Sequence, residues 1–321
     1  MKIRHDVLLR DVLFYKIGGK ARFLLDVSST EDIAEAVEFI QTNKIDKFMV
    51  VGLGSNILMP DEDFNGVIVR VRSTAPEDIR ITNDGLVVSF AGQTLDDLIK
   101  FSFTNNLTGL EVLGGLPSTV GGAIRGNAGA FGVEMKDVLE KVSVLEVLDA
   151  GYEIKEISSE ECKFSYRDSL FKHNPNLIIL KGFFQLDPAT AAEVSDAKKV
   201  YHDQIEYRKK HHPVEYPSCG SVFKNIREKS EVLKVISVWP DIEDAVLGKW
   251  HGKVSMGYVI NRLGFTGYQV GGAKITEKHA NYISNVKDAT ASDVREIIDE
   301  ITLKFKNTFG FIPEVEAQIV R

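Results

Sequence analysis

Residues 109–132, GLEVLGGLPSTVGGAIRGNAGAFG, hold eight of the chain's 26 glycines in one run. Glycine loses more backbone freedom on folding than any other residue, so this density marks close approach of the main chain to something. Two neighbours fit. One is an anion such as a phosphate, cradled by bare backbone N–H groups; the other is a second stretch of protein packed tightly against the run. Pro117, Ser118 and Thr119, followed by Val120, Gly121 and Gly122, read as a turn feeding a short helix whose first N–H groups point at an anion. A tightly packed crossover loop is the bland alternative, and the density of glycine with Asn127 among them favours binding.

Outward from this run the chain reads as alternating helices and strands. Residues 23–27 read as a strand, after which Thr30 caps a helix with Ile33, Val37 and Ile40 on its apolar face. A strand at 48–51 runs into Gly52, Leu53, Gly54, Ser55 and Asn56. That G-x-G turn lacks the third glycine and following amphipathic helix of a dinucleotide fold. Pro60 and a further strand at 66–71 follow instead, which suggests a turn contacting phosphate or flavin in an α+β domain. Residues 86–90 form a strand, and Thr94 caps a helix with Leu95, Leu98, Ile99 and Phe103 as its stripe. Downstream come a hairpin, 142–148 with 152–157, and an apolar strand at 178–186.

A polar helix at 191–210 marks the expected domain boundary: 1–187 as one domain, with subdomains 1–72 and 73–187, and 188–321 as the other. Residues 226–253, with Trp239, Pro240 and Trp250, look irregular and inserted. Thr290 and Asp293 make a capping box for the last helix, which Gly310 ends. The final strand then carries Glu314 and Glu316 on one face by its two-residue period.

Composition narrows the function. The 321 residues carry 39 Lys and Arg against 46 Asp and Glu, a formal charge of -7 that argues against a nucleic-acid surface. Cys162 and Cys219 are too few for a disulfide framework or a zinc cage, which fits a reducing, cytoplasmic setting. The charged start MKIRHDVLLRDV is unlike a signal peptide, and no stretch reaches the length of a membrane span. There is no HExxH or CxxC metal motif, no P-loop lysine and no G-x-S-x-G elbow. What remains is a set of polar residues in glycine-tight surroundings: Arg167, Ser221, Lys224, Asn225 and the terminal glutamates. Each alone reads as an ordinary surface or strand-end residue.

Together they read differently. KIGGKARF (16–23), GLGSNIL (52–58), GGLPSTVGGAIRGNAGAFG (114–132), SYRDSLFK (165–172), PSCGSVFKN (217–225) and YQVGGAKITEKHANYI (268–283) occur in that order. In this order they resemble the UDP-N-acetylenolpyruvoylglucosamine reductase family, from about residue 17 to the end. The resemblance implies an α+β protein with a vanillyl-alcohol-oxidase/PCMH-type FAD-binding domain in two subdomains and a C-terminal α+β substrate-binding domain. It implies noncovalent FAD, NADPH as reductant and UDP-N-acetylglucosamine enolpyruvate as substrate in peptidoglycan synthesis, with a monomer expected and no nucleic-acid or membrane partner.

Carried over by position, the resemblance implies that Gly52, Gly54, Ser55, Asn56, Gly114, Gly115, Ser118, Thr119, Gly121 and Gly122 line the cofactor, with Asn127 and Gly129 near its ring. It implies Arg167 at the substrate carboxylate, Ser221 as proton donor, Glu316 as the C-terminal acid, and Lys209, Lys224 and Asn225 at the substrate. Glu314 is the rival to Glu316; spacing from Phe309 selects Glu316. Cys219 and Ser118 depart from the family's usual alanine and glycine, and His211 stands where many members have lysine. Two other readings compete: another PCMH-type flavin oxidase or dehydrogenase, which leaves Arg167 and Ser221 without a joint purpose, and a nonenzymatic nucleotide-sugar binder.

Overall fold

A computed structural model describes residues 1–320. It divides the chain into two compact units: Met1–Val7, Ala21–Leu53 and Phe64–Arg208 form the first, and Leu8–Lys20, Gly54–Asp63 and Lys209–Arg321 the second.

The first unit holds two sheets. One orders its strands as Lys2–Leu8, Lys20–Val27, Phe64–Val71 and Phe48–Val51, and the last three run parallel. Parallel neighbours need a crossover, which the helix Thr30–Thr42 supplies between the second and fourth of these strands. Its Ile33, Ala36, Val37 and Ile40 are buried. The helix is capped one residue earlier than expected: Ser29, not Thr30, accepts the Asp32 N–H at 3.1 Å. Adjacent Ser and Thr both suit an N-cap, and the chain uses the first.

The second sheet is antiparallel, in the order Tyr152–Ser158, Leu139–Val147, Leu177–Phe184, Val87–Phe90 and Ile79–Ile81. The helices Leu95–Thr104 and Val120–Arg125 bury their apolar residues in the same core. Gly182 lets the short helix sit directly on the sheet, since a Cβ there would lie 2.7 Å from Ile124 Cδ1.

The cut expected at residue 188 differs from the compact units. The long helix is Ala191–His211, and its Val194, Ala197 and Tyr201 are buried in the first unit's core. Tyr201 stacks edge-on to Phe103 and lies so close over Gly114 that a Cβ there would come within 2.5 Å of its ring. So few apolar positions on a long polar helix read as a linker, although they are enough to dock it. Residues 8–20 and 54–63 belong with the C-terminal residues, which a linear cut cannot express.

In the second unit, residues 226–253 are not irregular. They form the helices Lys229–Val238 and Glu243–Leu247 around a single turn, Pro240–Ile242. Val232, Val235, Ile242 and Val246 are buried in the unit's core, and Trp239 packs edge-on against Phe309. Pro240 splits the helical pattern into pieces too short for periodicity to show. The helix Ala291–Phe309 has the expected capping box of Thr290 and Asp293 and a left-handed Gly310 at its end. The final strand is shorter than expected: only Gln318–Ile319 pairs as strand, parallel to Ile57–Leu58. Residues 314–316 hold a single bridge, Phe223 to Val315. Among the described residues, no helix is long and apolar enough to cross a membrane.

Candidate active site

In the first unit the two glycine segments meet. A Cβ on Gly52 would overlap Thr119 Oγ1 and come within 2.9 Å of its Cγ2, so the turn after Phe48–Val51 is pressed onto the residue that caps Val120–Arg125. Thr119 Oγ1 accepts the Gly122 N–H at 3.2 Å. The helix start does not point its N–H groups at an anion as expected. Val120 N–H donates to Gln93 C=O at 2.8 Å and Gly121 N–H to Ala91 C=O at 2.9 Å, while Gly122 serves the cap. Gly121 is glycine for packing, because a Cβ would stand 2.9 Å from that of Ala91. Gly115 N–H is held by Asp96 Oδ1 at 3.0 Å, and Ser118 Oγ donates to Thr119 C=O at 2.9 Å. Much of the glycine density therefore serves backbone packing, the alternative set aside in the sequence.

Asn127 is fully buried and left-handed, with φ 42°. Its Nδ2 donates to Glu134 Oε2 and to Ser165 C=O, both at 2.9 Å, and its Oδ1 accepts Lys136 N–H at 3.1 Å. Arg167 is left-handed too, at φ 56°, a conformation that non-glycine residues hold only when their surroundings enforce it. Its Nη2 donates to Gly129 C=O at 2.6 Å, its Nη1 reaches Asn127 C=O at 3.5 Å, and its guanidinium lies over the Tyr166 ring. Lys172 Nζ holds the Arg167 carbonyl at 2.6 Å. The structure thus brings Asn127, Gly129 and Arg167 together.

The second unit gathers Ser221, Lys224 and Glu316. Residues 221–224 lie between two partners: Ser221 bridges Tyr282, and Phe223 bridges Val315. Glu316 N–H donates to Val222 C=O at 2.7 Å, and Lys224 N–H to Glu314 C=O at 2.9 Å. The glutamates part company at their side chains. Glu314 pairs with Lys224 at 2.6 Å and is 69% exposed, whereas Glu316 is half-buried and its charge acts on the Cys219 thiol. Burial is the main cause that pushes that thiol up to about 12, the Tyr15 hydroxyl partly offsetting it, so position 219 holds a neutral S–H near neutral pH. Asn225 Oδ1 accepts the Met256 N–H at 3.0 Å, so half of this amide holds the start of a helix. Lys209 is exposed, and its carbonyl accepts from Lys278 Nζ at 3.3 Å. In the turn at Gly54–Asn56, a Cβ on the left-handed Gly54 would lie 2.8 Å from Leu13 Cδ2, Ser55 is half-buried, and Asn56 C=O accepts Gln318 N–H at 2.9 Å.

Sequence reasoning passed over the residues that flank Ser221. Tyr282, His212 and His279 form a ring cluster, with centroids 5.1 Å apart for His212 to each of the others and 4.8 Å for His279 to Tyr282. Burial lowers the His279 pKa. Asn281 is 3% exposed and bonds the Phe223 peptide. All but His212 lie in the 268–283 motif, but nothing local in it signals a partner some sixty positions away. Among the described residues, no group of His, Cys, Asp and Glu could hold a metal ion.

Residues 212–320 match the family model described as "UDP-N-acetylenolpyruvoylglucosamine reductase, C-terminal domain", and residues 21–158 match one described as "FAD binding domain". The UDP-N-acetylenolpyruvoylglucosamine reductase of Carboxydothermus hydrogenoformans is 37% identical over 290 residues, covering 89% of this chain and 83% of that protein. The chain belongs to the UDP-N-acetylenolpyruvoylglucosamine reductase family. A second reductase, from Caldanaerobacter subterraneus, is 34% identical over 94% of this chain and 89% of its own length. The crystal structure of the Thermus caldophilus reductase covers 100% of both chains at 27% identity, with a TM-score of 0.74. The fold is the α+β architecture of this family. Ser221 and Glu316 fall within the C-terminal match and Gly52, Thr119 and Gly129 within the FAD-binding match, while Arg167 and Lys209 lie outside both.

Proposed function

We propose that this chain carries out the reaction its relatives are named for, reducing UDP-N-acetylglucosamine enolpyruvate to UDP-N-acetylmuramate for peptidoglycan synthesis. It works as a cytoplasmic monomer with noncovalent FAD and with NADPH as reductant. The observation that carries this reading is the agreement of both halves of the chain with the two family models, together with the bond from Glu316 N–H to the carbonyl of Val222, next to Ser221.

The residues present fit the cofactor. The contact of Gly52 with the Thr119 side chain brings together the two glycine segments assigned to it, so their main chain can present one surface to a flat or extended group. Gly54, Ser55 and Asn56 are assigned to the diphosphate, Gly114 to Gly122 to the adjoining part of the cofactor, and Asn127 and Gly129 to its ring. When bound, FAD would supply hydride-transfer chemistry between NADPH and the terminal carbon of the enolpyruvyl group.

That addition drives negative charge into the substrate carboxylate. Arg167 meets the carboxylate with a planar fork that lysine lacks. Its guanidinium is fixed in advance by Gly129 C=O and by the Tyr166 ring, so it stabilises the developing charge without reorganising. Glu316, in its protonated form, donates a hydrogen bond to the same charge. Ser221 then gives its hydroxyl proton to the enolate carbon. Lys209, Lys224 and the free half of the Asn225 amide hold the nucleotide sugar.

Separating the two half-reactions tests this assignment. In Ser221→Ala, reduction of the bound flavin by NADPH stays within about twofold, while reoxidation by the enolpyruvyl substrate falls by about 10²–10⁴-fold. Equal loss in both halves removes Ser221 from the proton-donor role.

A further inference from the structure

The segment that carries Ser221 has no continuous ladder on either side, only single bridges at Ser221 and Phe223. Gly220, just before it, is left-handed at φ 76°, with open space where a Cβ would stand. Asn281 supplies what the missing ladder does not. Its Oδ1 accepts the Phe223 N–H at 3.0 Å, its Nδ2 donates to the Phe223 C=O at 2.8 Å, and its own carbonyl accepts the Val222 N–H at 2.9 Å. Both Asn281 and Phe223 are buried, at 3% and 1% exposure, so water does not substitute for these bonds. On the opposite edge, Val222 C=O and Lys224 N–H are held by the backbone of 314–316.

We propose that Asn281 is a positioning residue for the second half-reaction: its amide fixes the Phe223 peptide, and through it the place of the Ser221 hydroxyl relative to Glu316. The claim rests on the proton-donor reading of Ser221. The chemistry requires an amide, since one end must accept and the other donate. A carboxylate offers two acceptors and opposes the Phe223 carbonyl; alanine leaves both main-chain groups without a partner. Because Asn281 acts through Ser221, its loss matters only while that hydroxyl is present.

The test uses the FAD-loaded enzyme in anaerobic stopped flow, with NADPH and then the enolpyruvyl nucleotide sugar. The variants are Asn281→Ala, Asn281→Asp, Ser221→Ala, and each Asn281 change on the Ser221→Ala background. The aspartate variant keeps the side-chain volume and supplies the answer if the alanine variant does not fold. Flavin reduction should stay within about twofold of the parent, and reoxidation should fall by about 10–10²-fold, the scale of a catalytic group displaced by an ångström. On the Ser221→Ala background the same substitutions should produce no further fall. An unchanged reoxidation rate in the Asn281 variants, or a fall of equal factor on both backgrounds, overturns the proposal. If Ser221→Ala itself reoxidises at the parent rate, the proton-donor reading has failed, and the role of Asn281 fails with it.

Discussion

Glu314 and Glu316 stand two positions apart, and each carboxylate has different work. The Glu314 carboxylate reaches Lys224 from an exposed position, and such pairs contribute about 0–1 kcal/mol. Glu316 is anchored to Val222 beside Ser221. Glu316→Ala is expected to slow reoxidation by about 10²–10³-fold, as removal of a transition-state donor does, whereas Glu314→Ala should change KM by about fivefold at most. The reverse ranking in half-reaction rates would give the acid role to Glu314.

His279 offers a second residue-scale prediction. Burial lowers its pKa, and its Nδ1 accepts the Asn281 N–H at 3.3 Å, a bond only the neutral ring can make. The unfolded chain therefore binds a proton here more readily than the folded one. Stability is lost as pH falls below the ordinary histidine value of about 6.5 and on through the lower folded value. The drop in Tm between neutral and mildly acid pH should be smaller in His279→Gln than in the parent chain; equal drops would mean that this ring does not titrate with unfolding. Arg167 and Ser221 could be named from the sequence because each sits in a short motif, and Glu316 because of its spacing from Phe309. Asn281 and Tyr282 could not, because they pair with residues 221–223 some sixty positions away, which no local pattern encodes.

At the scale of elements, the contact between Gly52 and Thr119, the cap of Val120–Arg125, is what joins the two glycine segments. Gly52→Ala should displace the Thr119 side chain and release its cap, costing about 0.5–2 kcal/mol. Thr119→Ala should cost a similar amount by losing the cap alone. Combined, the two should cost less than their sum, since removing the Thr119 hydroxyl and methyl makes room for the new Cβ. Thermal melts of the four proteins check this, and strictly additive losses would contradict the contact. The caps at Thr94 and Thr290 and the 142–148 hairpin were readable because they depend on neighbours within a few residues. The purpose of the glycine run was only half readable. Gly121 answers to Ala91 and Gly114 to Tyr201, and a sequence shows that something presses on a glycine without showing what.

At the scale of the molecule, the chain contributes three separate stretches to each compact unit. Residues 8–20 and 54–63 fold with the C-terminal half, and Gly18 shows why the first is specific: it is left-handed at φ 135°, with a Cβ position 2.8 Å from that of Met59. A reading that moves along the chain finds one boundary, near the polar helix, and has no means of seeing that earlier loops belong beyond it. The family was nevertheless legible, since motif order survives such interleaving. The central claim is that this fold runs a flavin cycle closed by an enolpyruvyl nucleotide sugar. The direct measurement is the visible absorption of the FAD-loaded protein under anaerobic conditions, first with NADPH and then with UDP-N-acetylglucosamine enolpyruvate. Bleaching by NADPH, followed by recovery of colour in proportion to the nucleotide sugar added, with UDP-N-acetylmuramate formed in equal amount, is the predicted result. A protein that binds no flavin, or a reduced flavin that stays bleached with the nucleotide sugar and recovers only when oxygen is admitted, would contradict it.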